Sequence, residues 1–184
     1  YYQTLARNTR IFNELDKVLD FLHSKGFDKI VLLKGAHLLP EVYKDLGARP
    51  MSDIDILMPK EDALKAHQLL QEEMGYFEPP PLRPWVRDWK IEHDKHLPPI
   101  TKNKIKIDVH WHLGNSIALK EEHIKDDEYL LYLKTHLERH IAQNDWQLKH
   151  FCDIQYFNDK ITLIKEHINI INAINKENFR FQRR

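Results

Sequence analysis

Met51-Ser52-Asp53-Ile54-Asp55-Ile56-Leu57-Met58 sets two acids into a run that otherwise reads as a strand. Successive side chains of a strand point to opposite faces, so Asp53 and Asp55 share one face while Ile54 and Ile56 share the other. Two carboxylates held that close repel each other. A shared proton, basic neighbours or a divalent cation with hard oxygen ligands must compensate them. The plain alternative is a solvated edge strand that carries acids for solubility.

Just upstream, Lys29-Ile30-Val31-Leu32-Leu33 is short, apolar and partly β-branched, and it runs directly into Lys34-Gly35-Ala36-His37. This order predicts strand, tight turn and then a helix from Ala36 to Leu46, with Pro40 removing one hydrogen bond or marking the first turn. Gly47-Ala48-Arg49-Pro50 breaks the pattern before the diacid strand, and with that helix as their connection the two strands are expected side by side in one sheet. Further upstream, Ile11, Phe12, Leu15, Val18, Leu19 and Leu22 recur at helical spacing, which predicts an amphipathic helix between Thr9 and Lys25.

Downstream, Ala63, Ala66, Leu69, Leu70 and Met74 predict a helix stopped by Gly75. Tyr76 to Pro84 is too rich in proline for helix or central strand and reads as a loop. Trp89 to Leu97 is expected to be a strand pairing, across Thr101-Lys102-Asn103, with the clearest alternation in the chain. That alternation is Lys104-Ile105-Lys106-Ile107-Asp108-Val109-His110-Trp111-His112. Its apolar residues face a core, and Asp108, His110 and His112 share the opposite face with Lys104 and Lys106.

Gly114 ends the strand, and the composition then turns helical. Asp126 or Asp127 is expected to cap a helix carrying Leu130, Leu133, Leu137 and Ile141. Asn144 or Asp145 is expected to cap another with Leu148, Phe151, Cys152 and Ile154 inward, and a last helix is expected over Ile161 to Ile174. His136, His140 and His150 read as surface or packing residues. The expected fold is α/β (α+β), a small mixed sheet with packed helices followed by a helical segment, divided as 1–116 and 117–184.

The 184 residues suffice for one sizeable core. Their 28 basic and 28 acidic residues cancel, so no global field selects nucleic acid or an anionic membrane. A single cysteine, Cys152, excludes an internal disulfide framework, and no apolar run reaches membrane-spanning length. With no signal-peptide pattern, a cytoplasmic location is the expectation.

Three carboxylates on two strands, after a strand-turn-helix with glycine at the turn, match the needs of metal-dependent phosphoryl transfer. Leu33-Lys34-Gly35-Ala36, Arg49-Pro50-Met51-Ser52-Asp53-Ile54-Asp55-Ile56 and Ile107-Asp108-Val109-His110-Trp111-His112-Leu113 together resemble the nucleotidyltransferase superfamily of the polymerase-beta type. More narrowly, they resemble a bacterial branch known only as uncharacterised nucleotidyltransferases. That resemblance implies metal ligation by Asp53, Asp55 and Asp108, with Mg²⁺ or Mn²⁺ as cofactor and an NTP as substrate. Lys34, Gly35, Arg49 and Ser52 are the expected nucleotide contacts. Where the superfamily usually carries Gly-Gly or Gly-Ser, this chain has Lys34-Gly35-Ala36, an exchange that supplies a cation.

The implied reaction moves a nucleoside monophosphate to an acceptor hydroxyl that the sequence leaves open between small molecule, sugar, protein and RNA. Two rivals stand beside it. One is a metal-dependent hydrolase using the same acids with His110 and His112, and the other is a non-catalytic nucleotide-binding module of the same fold.

Overall fold

The computed structural model describes residues 1–79, 83–113, 117–118 and 124–162. Helix α1 (Tyr2–Ser24) precedes strand β1 (Val31–Leu33), which passes without a linker into α2 (Lys34–Leu38). Strand β2 (Asp53–Leu57), helix α3 (Lys60–Glu72), helix α4 (Pro84–His93), strand β3 (Ile100–Lys102) and strand β4 (Ile105–His110) follow. The short pair β5 (His112–Leu113) and β6 (Ile117–Ala118) leads to α5 (Asp126–Ala142), and residues 148–162 form α6.

The main sheet has the order β1-β2-β4-β3. β1 runs antiparallel to β2, while β2 and β4 are parallel and are joined by the long crossover through α3 and α4. Lys102 pairs with Ile105 across a two-residue turn, Asn103-Lys104, in which both residues have positive φ. A turn of that hand matches the twist of the strands it joins.

The two sheet faces are covered differently. Ile54 and Ile56 pack with Leu15, Val18 and Leu22 of α1 and Ala66 and Leu70 of α3 in one core. On the other face Leu33 and Leu57 pack with Tyr129 and Leu133 of α5 and Phe157 of α6. Burying each such large side chain contributes about 1.5–3 kcal/mol, so the second cluster holds α5 and α6 firmly on the sheet. Because β2 alternates, the face with Asp53 and Asp55 is the one α5 and α6 cover.

Several expectations need correction. Trp89 to Leu97 is not a strand: Pro84 opens α4 at its first position, where its fixed φ suits a helix, and the helix continues to His93. No side chain of α4 is buried, so nothing imposes strand pairing on it. Only His96 bridges to β4, at His110. The first helix begins at Tyr2 rather than near Thr9.

After Leu38 the backbone widens into a π turn, Leu39–Tyr43, closed by Lys44 N–H donating to the Leu39 carbonyl at 2.7 Å. Pro40 has no N–H to give to the preceding turn, and the helix expected to reach Leu46 stops at a left-handed Lys44. β4 ends at His110, and His112 belongs to the separate β5–β6 pair, so the His110/His112 face is broken.

In α6, Leu148 and Phe151 are exposed and Cys152 is half-buried, while His150, Asp153, Phe157 and Ile161 form the inward stripe. Gly114, Pro80 and Pro81 of the proline-rich loop, and most of Ile161 to Ile174 lie outside the described residues.

Candidate functional site

The parallel register sets Asp53 opposite Lys106 and Asp55 opposite Asp108, so three carboxylates and a lysine come together where β2 meets β4. Asp55 is 2% exposed and accepts from Lys34 Nζ at 2.6 Å, while His110 Nε2 lies 3.1 Å from the same oxygen. Burial by itself raises a carboxyl's pKa, but the Lys34 ammonium and the His110 ring outweigh it and hold Asp55 well below the carboxylate range. Lys34 shifts up for the matching reason, its own burial being overcome by Asp55.

Asp108 behaves in the opposite way. Burial and the neighbouring Asp55 charge push its carboxyl up, and Lys106 only partly offsets them. Its Oδ1 is the one buried side-chain oxygen without a hydrogen-bond partner among the described residues. Lys106 Nζ sits 3.4 Å from Asp53 Oδ2 and 3.8 Å from Asp108 Oδ2, a cation between two carboxylates. Asp55, Asp108 and His110 offer ligand atoms within 4.8 Å of one another. An orphaned carboxylate oxygen and a position already holding positive charge fit a divalent ion with oxygen ligands.

The segment that aims Asp53 is clamped from two sides. Asn8 of α1, fully buried, donates to the carbonyls of Leu46 and Arg49 at 2.6 and 2.7 Å and accepts from Met51 N–H at 3.1 Å. From the opposite side Asp153 of α6 takes Arg49 in two parallel bonds, 2.6 Å to Nε and 2.7 Å to Nη2, and also accepts from Tyr43 Oη at 2.8 Å. Planar guanidinium and carboxylate fix each other's orientation in such a pair.

Gly35 has a packing reason: a Cβ there would lie 2.6 Å from both Arg49 Nη1 and Met51 Cγ. Lys34 adopts φ 46°, a conformation that glycine takes without cost, and its N–H donates to Tyr129 Oη at 2.7 Å.

Above the acids, α5 and the start of α6 supply a second wall. A cavity of about 480 Å³ lies between, bordered by Asp53 and Asp108 below and by His136, Arg139, His140 and Lys149 above. Lys34, Gly35, Arg49 and Ser52 also border it. Of these, Ser52 Oγ donates to Asp53 at 2.9 Å, Lys34 is spent on Asp55 and Arg49 on Asp153. His112 does not border it. The upper wall escaped the sequence reading because its residues are single polar positions on helices. Only the His136/His140 spacing of four, with Asp145 and His150 close behind, carried a signal.

A family model described as "Uncharacterised nucleotidyltransferase" matches residues 1–124. No curated protein and no solved structure matches the chain. Among the described residues, no helix is long and apolar enough to cross a membrane.

Proposed function

The chain belongs to this family of uncharacterised nucleotidyltransferases, and from that premise we propose that it moves a nucleoside monophosphate from an NTP to an acceptor hydroxyl, releasing pyrophosphate. The observation that carries the reading is the in-register set of Asp53, Asp55 and Asp108 on adjacent parallel strands, with one buried carboxylate oxygen of Asp108 unpartnered. Asp53, Asp55 and Asp108 would hold Mg²⁺ or Mn²⁺. When bound, the ion supplies charge neutralisation at the phosphates and polarises the phosphoryl oxygens.

The chain's own residues do the rest. Lys34 and His110 keep Asp55 ionised, so it needs no deprotonation before use. Asp108, the third carboxylate and a residue bordering the cavity, is placed to help hold the ion beside the acceptor hydroxyl. Lys106, Arg139 and Lys149 place positive charge around the cavity, where a triphosphate's oxygens would lie. The cavity volume suits one nucleotide-sized ligand. Residues 1–116 act as the catalytic core, and the described part of 117–184 closes its cleft.

Among the described residues the group that could hold a metal on the sheet is Asp55, Asp108 and His110, and His112, in the β5–β6 pair, is not part of it. The test is incubation with each labelled NTP and Mg²⁺ in the presence of lysate fractions, comparing wild type with Asp53→Ala. Label transfer by wild type and loss of at least ~10³-fold in the variant is expected. Equal labelling by both sinks the transferase reading, and nucleotide binding without transfer favours the non-catalytic module.

A further inference from the structure

The upper wall holds a cluster that phosphoryl transfer does not use. His136 and His140 stand one helical turn apart on α5, on the same face, and His150 lies in the first turn of α6. Their ring centroids are 4.4 Å apart for His136 and His140, 4.4 Å for His140 and His150, and 5.4 Å for His136 and His150. Each offers one ring nitrogen within 4.8 Å of the others.

We propose that His136, His140 and His150 form a site for a borderline transition-metal ion, Zn²⁺ or its neighbours Co²⁺ and Ni²⁺, joining α5 to α6. An all-imidazole set suits these ions, whereas Mg²⁺ prefers the oxygen ligands on β2 and β4. His140 is already arranged for the task. Asp145 Oδ1 accepts from its Nδ1 at 2.8 Å, which fixes the tautomer and leaves the Nε2 lone pair free, the usual second partner of a metal-bound histidine.

Two contacts compete with the ion. Arg139 Nη2 lies 3.0 Å from His136 Nδ1, and Gln147 N–H donates to His150 Nδ1 at 3.2 Å. The guanidinium must turn away for His136 to ligate through that nitrogen, so Arg139 sets the affinity. The same cations make an anion site the competing assignment, and it responds to Arg139 in the opposite sense.

The test uses the full chain, stripped with chelator, in an Asp53→Asn/Asp108→Asn background that disables the carboxylate site. Calorimetry with Zn²⁺ is expected to show one equivalent bound, and Co²⁺ to give the intense visible bands of a four-coordinate site with three imidazole nitrogens and one water. His136→Gln/His140→Gln should weaken binding at least ~100-fold and Asp145→Asn about 10-fold. Arg139→Gln should tighten it several-fold by removing a like charge, roughly in line with one screened charge a few ångströms away.

Zn²⁺ binding that survives the double histidine change, or that vanishes with the acids alone, overturns the site. So does stabilisation by inorganic phosphate that Arg139→Gln abolishes while Zn²⁺ has no effect. Should the histidine variant fail to fold, X-ray absorption of zinc-loaded protein with intact histidines decides. Imidazole nitrogens in the first shell support the site, and an oxygen-only shell overturns it. None of these readouts depends on nucleotide transfer.

Discussion

The two walls of the cavity are built on opposite principles. The sheet wall gathers Asp53, Asp55 and Asp108 where β2 meets β4, and there burial and the Asp55 charge work against ionised Asp108. The helix wall gathers His136, His140 and His150 from two helices, and Asp153 of the second helix is spent on holding the molecule together through Arg49. On the proposed function, chemistry sits on the sheet and the Arg49–Asp153 tie on the helices, and substitutions should separate them.

The largest effect is expected where the walls are tied. Asp153→Ala leaves Arg49, 5% exposed, without its carboxylate, and breaking one partner of such a buried pair costs about 3–5 kcal/mol. Urea unfolding should show it, and Arg49→Met combined with Asp153→Leu should recover much of the loss. If Asp153→Ala unfolds at the wild-type midpoint, the clamp is not what secures the helix wall.

Gly35→Ala probes the same junction from the sheet side. The new methyl meets Met51 and an Arg49 group pinned by Asp153, so overpacking of about 1–3 kcal/mol is expected. Adding Asp153→Ala should reduce that cost, since a freed Arg49 can move.

Arg139→Ala tests the division of labour in kinetics. Loss of a cation from the helix wall is expected to raise KM for NTP about 10-fold with kcat nearly kept, the pattern of lost ground-state binding. A fall in kcat alone would move Arg139 from binding into the chemistry.

The smallest effect has the opposite sign. The folded-state carboxyl of Asp108 titrates above its ordinary value of 3.8, so its contribution to stability is present below that value and is lost as pH rises through the folded pKa. At neutral pH the ionised group therefore weighs against folding. Asp108→Asn should raise Tm by at most about 4 °C at pH 7, with the gain vanishing toward pH 4, while activity is lost. A lower Tm at pH 7 would mean that the Lys106 contact outweighs burial.

The sheet wall was legible because a strand has period two and its acids interrupt an apolar run. Alternation places Asp53, Asp55 and Asp108 on strand faces, the motifs around them point to the family, and the register sets Asp55 opposite Asp108. The segment Trp89 to Leu97 reads as a strand because Trp89 and Ile91 alternate with charged residues, and nothing within that run marks the exposed helix that Pro84 starts. The helix wall was hidden for a different reason. Its inward stripe in α6 begins with His150 and Asp153, polar residues that a hydrophobic pattern assigns to solvent, while Leu148 and Phe151 lie outside. Arg49 reads as a nucleotide contact because its ion-pair partner is 104 positions away.

The most direct measurement is anomalous diffraction at the manganese edge from crystals holding Mn²⁺ and a non-hydrolysable NTP. The expected result is a manganese peak bridged by the carboxylates of Asp53, Asp55 and Asp108, with the triphosphate beside it. A bound nucleotide with those carboxylates turned away from one another, or with manganese on none of them, would contradict it.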